Sequence, residues 1–425
     1  MEQGTEGRPP GRPSTLGGAA APTEEPAGIP RLAEGVELLG RYEGSGFKEP
    51  PYIAKRGDGQ MVQLPPLLYA VAEEIDGGSD VAAIAARVSA RIRREIEPQD
   101  LAFLIEEKLA PLGVVAARSG EAEPVAAAAD PMLALKLRTK VVPKRAVRAI
   151  ATIFQPLFFP LVIVAVLAGL VVLDWWLFFD HGVAQSLRAA IYQPLLLLLV
   201  LGMVVISAAF HESGHAAGAK YGGADPGEMG VGIYIVWPAF YTNVTDTYRL
   251  GKGGRLRTDL GGVYFNAIFI LLTSGVYFLT RFEPLLLVIV VQHLEIVRQL
   301  LPVVRLDGYY ILSDLTGVPD MFSRIKPVLV SLLPWRETDP RVAELKVWPR
   351  VVVTFWVTLV VPLLAFQLAL IVVHAPRIVA TALDSLARLG GTVSSAFGDG
   401  RPGAAVVGIL QMLLLVLPLA GVAYT

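Results

Sequence analysis

Five residues, His211-Glu212-Ser213-Gly214-His215, form the most chemically specific pattern in this chain. On a helix, positions i and i+4 share a face one turn apart, so both imidazoles can reach one cation. H-E-x-x-H is the spacing of sites in which two His hold Zn²⁺ and the intervening Glu activates water. His211 and His215 are therefore candidate metal ligands, and Glu212 is the candidate general base. The plainer alternative is a pair of polar residues marking where a helix meets lipid headgroups. Against it stands the cost of ionisable groups at membrane depth, since the charge-free run 189–210 leads directly into His211.

Such a site needs a third donor. The 425-residue chain contains no Cys, which excludes thiolate ligands, thiol catalysis and disulfides and leaves His, Asp or Glu. Asp307 follows an apolar segment, 284–304, that runs in the same direction as the segment ending at His215, so it reaches a similar depth. Its competing role is to cap the helix that follows it. Asp246, Asp314 and Asp320 are weaker candidates. His293 lies about 20 Å upstream of Asp307 along a helix, too far to share its metal.

The elements that must position these residues are apolar helices. Hydrophobic residues make up 53% of the chain, and runs of about 20 apolar residues cross a bilayer. The expected fold is an α-helical multi-pass membrane protein with six transmembrane helices, at 154–173, 192–216, 261–280, 284–304, 351–373 and 404–424. In the segment 284–304, Glu295 and Arg298 are expected to pair inside the protein. Lys and Arg cluster before the first span, in the loop from Lys220 to Arg257 and in the loop from Arg324 to Arg350. Positive-inside bias then puts both termini in the cytoplasm of a cell-membrane protein, with His211 and His215 toward that side. Net charge is −1, so no basic field suggests nucleic acid. The basic collar at 136–148 is read as a topology signal.

Before the membrane region, residues 1–40 read as a disordered tail without a signal peptide. Residues 41–118 read as a small winged-helix-like α/β domain, with a hairpin at 52–55 and 61–64 and amphipathic helices at 65–74, 79–94 and 98–109. Residues 119–150 form a linker and the basic collar, and 151–425 the six-span domain, with its core at 192–314.

Three motifs in order on consecutive spans give the chain a resemblance to the site-2 proteases, which are intramembrane zinc metalloproteases. They are His211–His215, then Gly262-Val-Tyr-Phe-Asn266, then Gln299-Leu-Leu-Pro302-Val-Val-Arg-Leu306-Asp307-Gly308. Gln299 departs from the family pattern, which has Asn there. The resemblance implies one Zn²⁺ per chain on His211, His215 and Asp307, with Glu212 as base and acid. It also implies that Asn266 donates a hydrogen bond to substrate, although a helix-packing role for Asn266 is equally open. The apolar stretch 229–240 reads as a re-entrant strand or hairpin lining the site, or as an interfacial loop. In the family such an element holds substrate as an added strand. Trp237, Pro238, Tyr241, Asp246, Arg249 and Gly261-Gly262 resemble a bacterial peptide zinc metalloprotease subgroup. The hairpin, helices and Ile75-Asp76-Gly77 resemble PqqD-like domains, which bind leader peptides of ribosomally made modified peptides.

The expected function is a membrane-embedded zinc endopeptidase that removes a leader from, or otherwise matures, such a peptide. Its expected partners are a peptide or membrane-protein substrate, peptide-modifying enzymes or an exporter, and the lipid bilayer. The rivals are a regulatory protease cutting a transmembrane signalling substrate such as an anti-sigma factor, and a non-catalytic peptide-binding or immunity protein. Glu212 argues against the last, which has no use for a base. A di-iron desaturase would draw on more than the five His present.

Overall fold

The computed structural model describes residues 29–116, 136–182, 194–234 and 237–424. Of the expected tail at 1–40, residues 1–28 lie outside the described residues, as does most of the expected linker, and residues 37–40 belong to a strand rather than a disordered tail. The chain divides into two compact units, Met1–Ala33 with Ala70–Val125, and Glu34–Tyr69 with Ala126–Thr425. The division passes through the expected 41–118 module.

Within the first unit, helix α1 (Pro66–Glu74) contributes its later residues and is followed by α2 (Val81–Ile92) and α3 (Pro98–Phe103). A single π-helical turn, Leu104–Leu109, extends α3. Val71, Ile84, Val88, Leu101 and Leu109 are fully buried, the apolar stripe their 3.6-residue spacing predicts. Asp80 caps α2 by accepting a hydrogen bond from the Ala83 amide at 2.8 Å. The Asp76-Gly77-Gly78 signature is a turn. Asp76 accepts from the amides of Gly78 and Ser79 at 2.9 and 2.8 Å, and Gly77 takes a φ of +72°.

The second unit begins with a three-stranded antiparallel sheet, β1 (Glu37–Arg41), β2 (Tyr52–Lys55) and β3 (Met61–Leu64), in that order. The β2–β3 hairpin falls at the expected residues, closed by a turn in which the Arg56 amide donates to Gln60 O at 2.8 Å. A second sheet joins β4 (Lys136–Val142), β5 (Met229–Tyr234) and β6 (Trp237–Thr242), all antiparallel. The stretch 229–240 is thus a hairpin, with its tip outside the described residues.

The remaining chain is helical: α4 (Lys144–Phe154), α5 (Pro160–Trp175), α6 (Pro194–Tyr221), α7 (Lys252–Thr280), α8 (Pro284–Leu300), α9 (Asp307–Thr316), α10 (Ile325–Ser331), α11 (Pro340–Ala343), α12 (Val347–Gly398) and α13 (Pro402–Tyr424). Among the described residues, four helical segments are long and apolar enough to cross a membrane: Pro160–His181, Leu199–Tyr221, Lys252–Thr280 and Val347–Gly398. The first starts later than the expected 154, because Pro156 and Pro160 break the helix and leave α4 as a separate amphipathic segment. The expected fourth span is the 17-residue α8. Its Glu295 and Arg298 do pair, but Arg298 is 53% exposed, so the pair is not interior as expected.

Candidate metal centre and catalytic site

The site is built where α6 and α7 touch backbone to backbone. A Cβ on Gly214 would lie 2.2 Å from Gly261 O, and a Cβ on Gly261 would lie 2.5 Å from Gly214 O. Glycine at both positions lets the two helices close to a distance that side chains would forbid. Gly262, one residue on, faces the imidazoles: a Cβ there would sit 2.4 Å from His211 Nε2 and 2.5 Å from His215 Nε2.

Asp307 arrives from a separate element, as the first residue of α9. Its Oδ2 lies 3.0 Å from His211 Nε2 and its Oδ1 3.4 Å from His215 Nε2, while the two Nε2 atoms are 3.1 Å apart. One donor atom from each of His211, His215 and Asp307 falls within 4.8 Å of the others, the sole such group of three among the described residues. His215 Nδ1 lies 2.8 Å from Thr258 O on α7. A carbonyl only accepts, so Nδ1 carries the proton and Nε2 presents its lone pair to the centre.

These residues fit a cation. Two imidazole nitrogens facing each other at 3.1 Å beside a buried carboxylate put lone pairs together with too few protons between them. Asp307 Oδ2 is moreover buried without a hydrogen-bond donor of good geometry. One divalent ion answers all three donors, and a His₂-carboxylate set without sulfur suits Zn²⁺ with an open position.

Glu212 is only partly buried and is held from the side. Thr242, the last residue of β6, lies with Oγ1 2.7 Å from Glu212 Oε2 and 3.0 Å from Glu212 O. The hydroxyl has one proton, and the shorter, charged acceptor takes it. Glu212 Oε1 is left for chemistry. Thr242 escaped the sequence reading because a strand-end hydroxyl has no diagnostic spacing; the Thr258 carbonyl escaped for the same reason.

The other candidates are engaged elsewhere. Asp246 binds Lys55 at 2.8 Å, Arg249 at 2.9 Å and the Asp225 amide at 2.9 Å. Burial works to raise its pKa, but Lys55, that amide and Arg249 outweigh it and hold the carboxyl below the usual range. Asp314 pairs with Arg255 at 3.0 Å and Asp320 with Arg305 at 2.7 Å. His293 pairs with Asp174 at 2.8 Å, away from the centre. Asn266 is buried one helical turn beyond Gly262, and Gln299 is half-buried near the end of α8.

Over 147 residues the chain is 25% identical to the "Putative peptide zinc metalloprotease protein YydH" of Bacillus subtilis (strain 168), a match covering 33% of this chain. The chain spans 57% of that relative's length. No family model matches the sequence, and no solved structure matches it.

Proposed function

We propose that this chain is a membrane-embedded zinc endopeptidase of the site-2-protease type. The observation that carries the reading is the convergence of His211, His215 and Asp307, from two separate helices, with Glu212 adjoining His211 and held by Thr242. The similarity to a protein named as a peptide zinc metalloprotease supports it independently. So do the four helices of membrane-spanning length and apolarity.

Zinc held by His211, His215 and Asp307 would supply Lewis acidity, polarising a peptide carbonyl and acidifying water. The chain's own residues do the rest. Glu212 accepts the water proton through Oε1 while Thr242 fixes Oε2, and it returns that proton to the amide nitrogen as the C–N bond breaks. The amine departs neutral, and the carboxylic acid made by the new C–O bond gives its remaining proton to the amine or to water, leaving a carboxylate. His215 keeps its ring orientation through Thr258 O. Asn266 donates to the substrate backbone from the turn beyond Gly262.

The substrate is a peptide in extended form, added as a strand. Among the described residues, β6 has a strand partner on one side only, and it ends at the residue that holds Glu212. Pro238 suits an edge strand, because its missing N–H costs no ladder bond on the open side. Within this reading the peptide is the leader-bearing precursor of a ribosomally made modified peptide, captured by the region 41–118. The chain crosses the membrane six times, with both termini cytoplasmic.

The test is metal content and cleavage together. Purified protein is expected to hold about one Zn²⁺ per chain, and Glu212→Gln to retain it while losing cleavage of a leader-bearing precursor peptide. Turnover unchanged in Glu212→Gln sinks the mechanism. Cleavage of a membrane-bound signalling protein, with the precursor left intact, moves the substrate assignment to the regulatory class.

A further inference from the structure

The third ligand is presented by a short helix, and that helix is held from outside the membrane region. Asp307 opens α9, which is ten residues long and ends at Gly317. Its C-terminal end meets loop 42–47, which connects β1 to β2. The Gly46 amide donates to Gly317 O at 2.9 Å, and a Cβ on Gly317 would strike Gly44 O at 2.2 Å. The loop is pinned on its other side, where the Lys346 amide donates to Gly46 O and Lys346 Nζ donates to Ser45 O, both at 2.8 Å.

Arg255 joins this loop to the metal helices. It is 1% exposed, the largest fully buried side chain described. Its Nε donates to Asp314 Oδ1 of α9 at 3.0 Å and its Nη2 to Glu43 O of the loop at 3.0 Å, while Nη1 donates to Leu250 O at 2.8 Å. Tyr42 stacks under the guanidinium at 4.4 Å and donates its hydroxyl to the same Asp314 oxygen at 3.2 Å. Arg255 itself lies on α7, one turn before Thr258, whose carbonyl orients His215. One buried cation therefore touches the helix bearing the third ligand, the helix orienting the second, and the loop of the N-terminal sheet.

We infer that loop 42–47 and Arg255 are positioning elements of the metal centre, so that metal occupancy and the order of the N-terminal sheet loop are coupled. The inference rests on the zinc reading above. Its physical basis is that α9 is rigid and anchored at Asp314 and Gly317, so the anchors set the direction in which Asp307 is offered. Groups that orient metal ligands are worth about 10- to 100-fold in affinity. Linkage makes the effect reciprocal: whatever zinc gains from an ordered loop, the loop gains from zinc.

The experiment uses the full chain in detergent, with Zn²⁺ as the probe. Zinc affinity is measured by competition with a chromogenic chelator for wild type, Arg255→Lys and Tyr42→Phe. Tyr42→Phe is the mild variant, removing one hydroxyl from a folded core. In parallel, hydrogen exchange is followed at peptides covering residues 42–48 with and without zinc. The expected result is about tenfold weaker zinc binding in Arg255→Lys, a smaller loss in Tyr42→Phe, and faster exchange at 42–48 when wild-type zinc is chelated. Unchanged affinity in both variants overturns the inference, as does exchange at 42–48 that ignores zinc. A wild-type chain that binds no zinc overturns the metal-site reading and this inference with it, whereas normal wild-type binding with indifferent variants overturns this inference alone.

Discussion

At the scale of single residues, the site separates what binds from what aims. In the proposed site His211, His215 and Asp307 supply the donors, while Thr242 bonds Glu212 and Gly262 leaves room beside both imidazoles. Thr242 holds one oxygen of Glu212. Thr242→Val removes that hydrogen bond without changing shape much, and bonds to charged groups are worth about 1.5–3 kcal/mol. Because a positioned base can work partly through alternative rotamers, the expected loss is about tenfold in kcat, near 1.4 kcal/mol, with zinc content unchanged. Thr242→Ser should recover most of the rate. Equal turnover in Thr242→Val would leave the hydroxyl with no part in aiming Glu212. Gly262→Ala makes the opposite prediction. Its methyl would meet both Nε2 atoms at about bonding distance to a metal, so zinc content is expected to collapse even if the helix forms. A stoichiometric zinc content in that variant would contradict the geometry of the centre. Asp307→Ala should likewise lose zinc, because two ligands remain where three converge.

At the scale of elements, α4 shows how far sequence patterns carried and where they stopped. The basic residues 136–148 read as a juxtamembrane collar, and the first span was expected from 154. The structure instead has strand β4 pairing with β5, then the amphipathic α4, before Pro160 starts the apolar helix. Pairing across ninety intervening residues leaves no local trace, so β4 was invisible in a stretch rich in Lys and Arg. The pairing of His211 with His215 was legible because residue types at i,i+4 spacing are a local pattern. Asp307 was expected near the two His from the proposed direction of the apolar segments, and the three residues do meet. The docking of β1 to β3 was not legible, since Lys55–Asp246 and Arg249–Glu37 are pairs between distant segments. Part of the collar is also more than a topology signal. Arg148 Nε donates to Asp225 Oδ1 at 2.6 Å and Lys144 Nζ lies 2.9 Å from Oδ2, fastening α4 beside the end of α6. The Arg148 hydrogen bond, with help from Lys144, holds the Asp225 carboxyl well below its ordinary value. A depressed carboxylate pKa adds stability above the unfolded value, about 3.9, and that stability is lost as pH falls toward the folded value. The pair is over a third exposed, so the gain is at most about 1 kcal/mol. Arg148→Gln should therefore lower the melting temperature slightly at pH 5–7, with the gap to wild type closing below about pH 4. A gap that stayed constant down to pH 3 would detach Asp225 from the effect.

At the scale of the whole molecule, the question is how so much apolar helix is disposed around one small centre. Helix α12 runs for 52 residues, about 78 Å at 1.5 Å per residue, against a hydrocarbon core of about 30 Å. One helix cannot use that length to cross once, and its sequence divides accordingly. From Val351 to Val373 the helix carries no charged residue, and Thr354, Thr358 and Gln367 are its polar side chains. After Pro376, a polar stripe appears at Arg377, Thr381, Asp384, Ser385, Arg388, Thr392 and Ser395, with the 3.6-residue period of one face. The opposite face is small or apolar: Ala382 and Ala396 are buried, and Gly390 and Val393 line an apolar groove with Ile409, Met412, Leu413 and Val416 of α13. Arg377, Asp384 and Arg388 are exposed, and leaving them against lipid tails would cost several kcal/mol in all. The second half of α12 therefore belongs in water or at the headgroups, covering α13 on one side. The chain has no Cys, so each introduced thiol reports alone. Ser385→Cys and Thr392→Cys should react with a membrane-impermeant maleimide in intact cells, while Leu370→Cys, ahead of Pro376, should stay unlabelled. Labelling of the first two only after permeabilisation keeps the stripe in water but reverses the six-span orientation. Protection of all three would mean that the polar stripe is packed against protein.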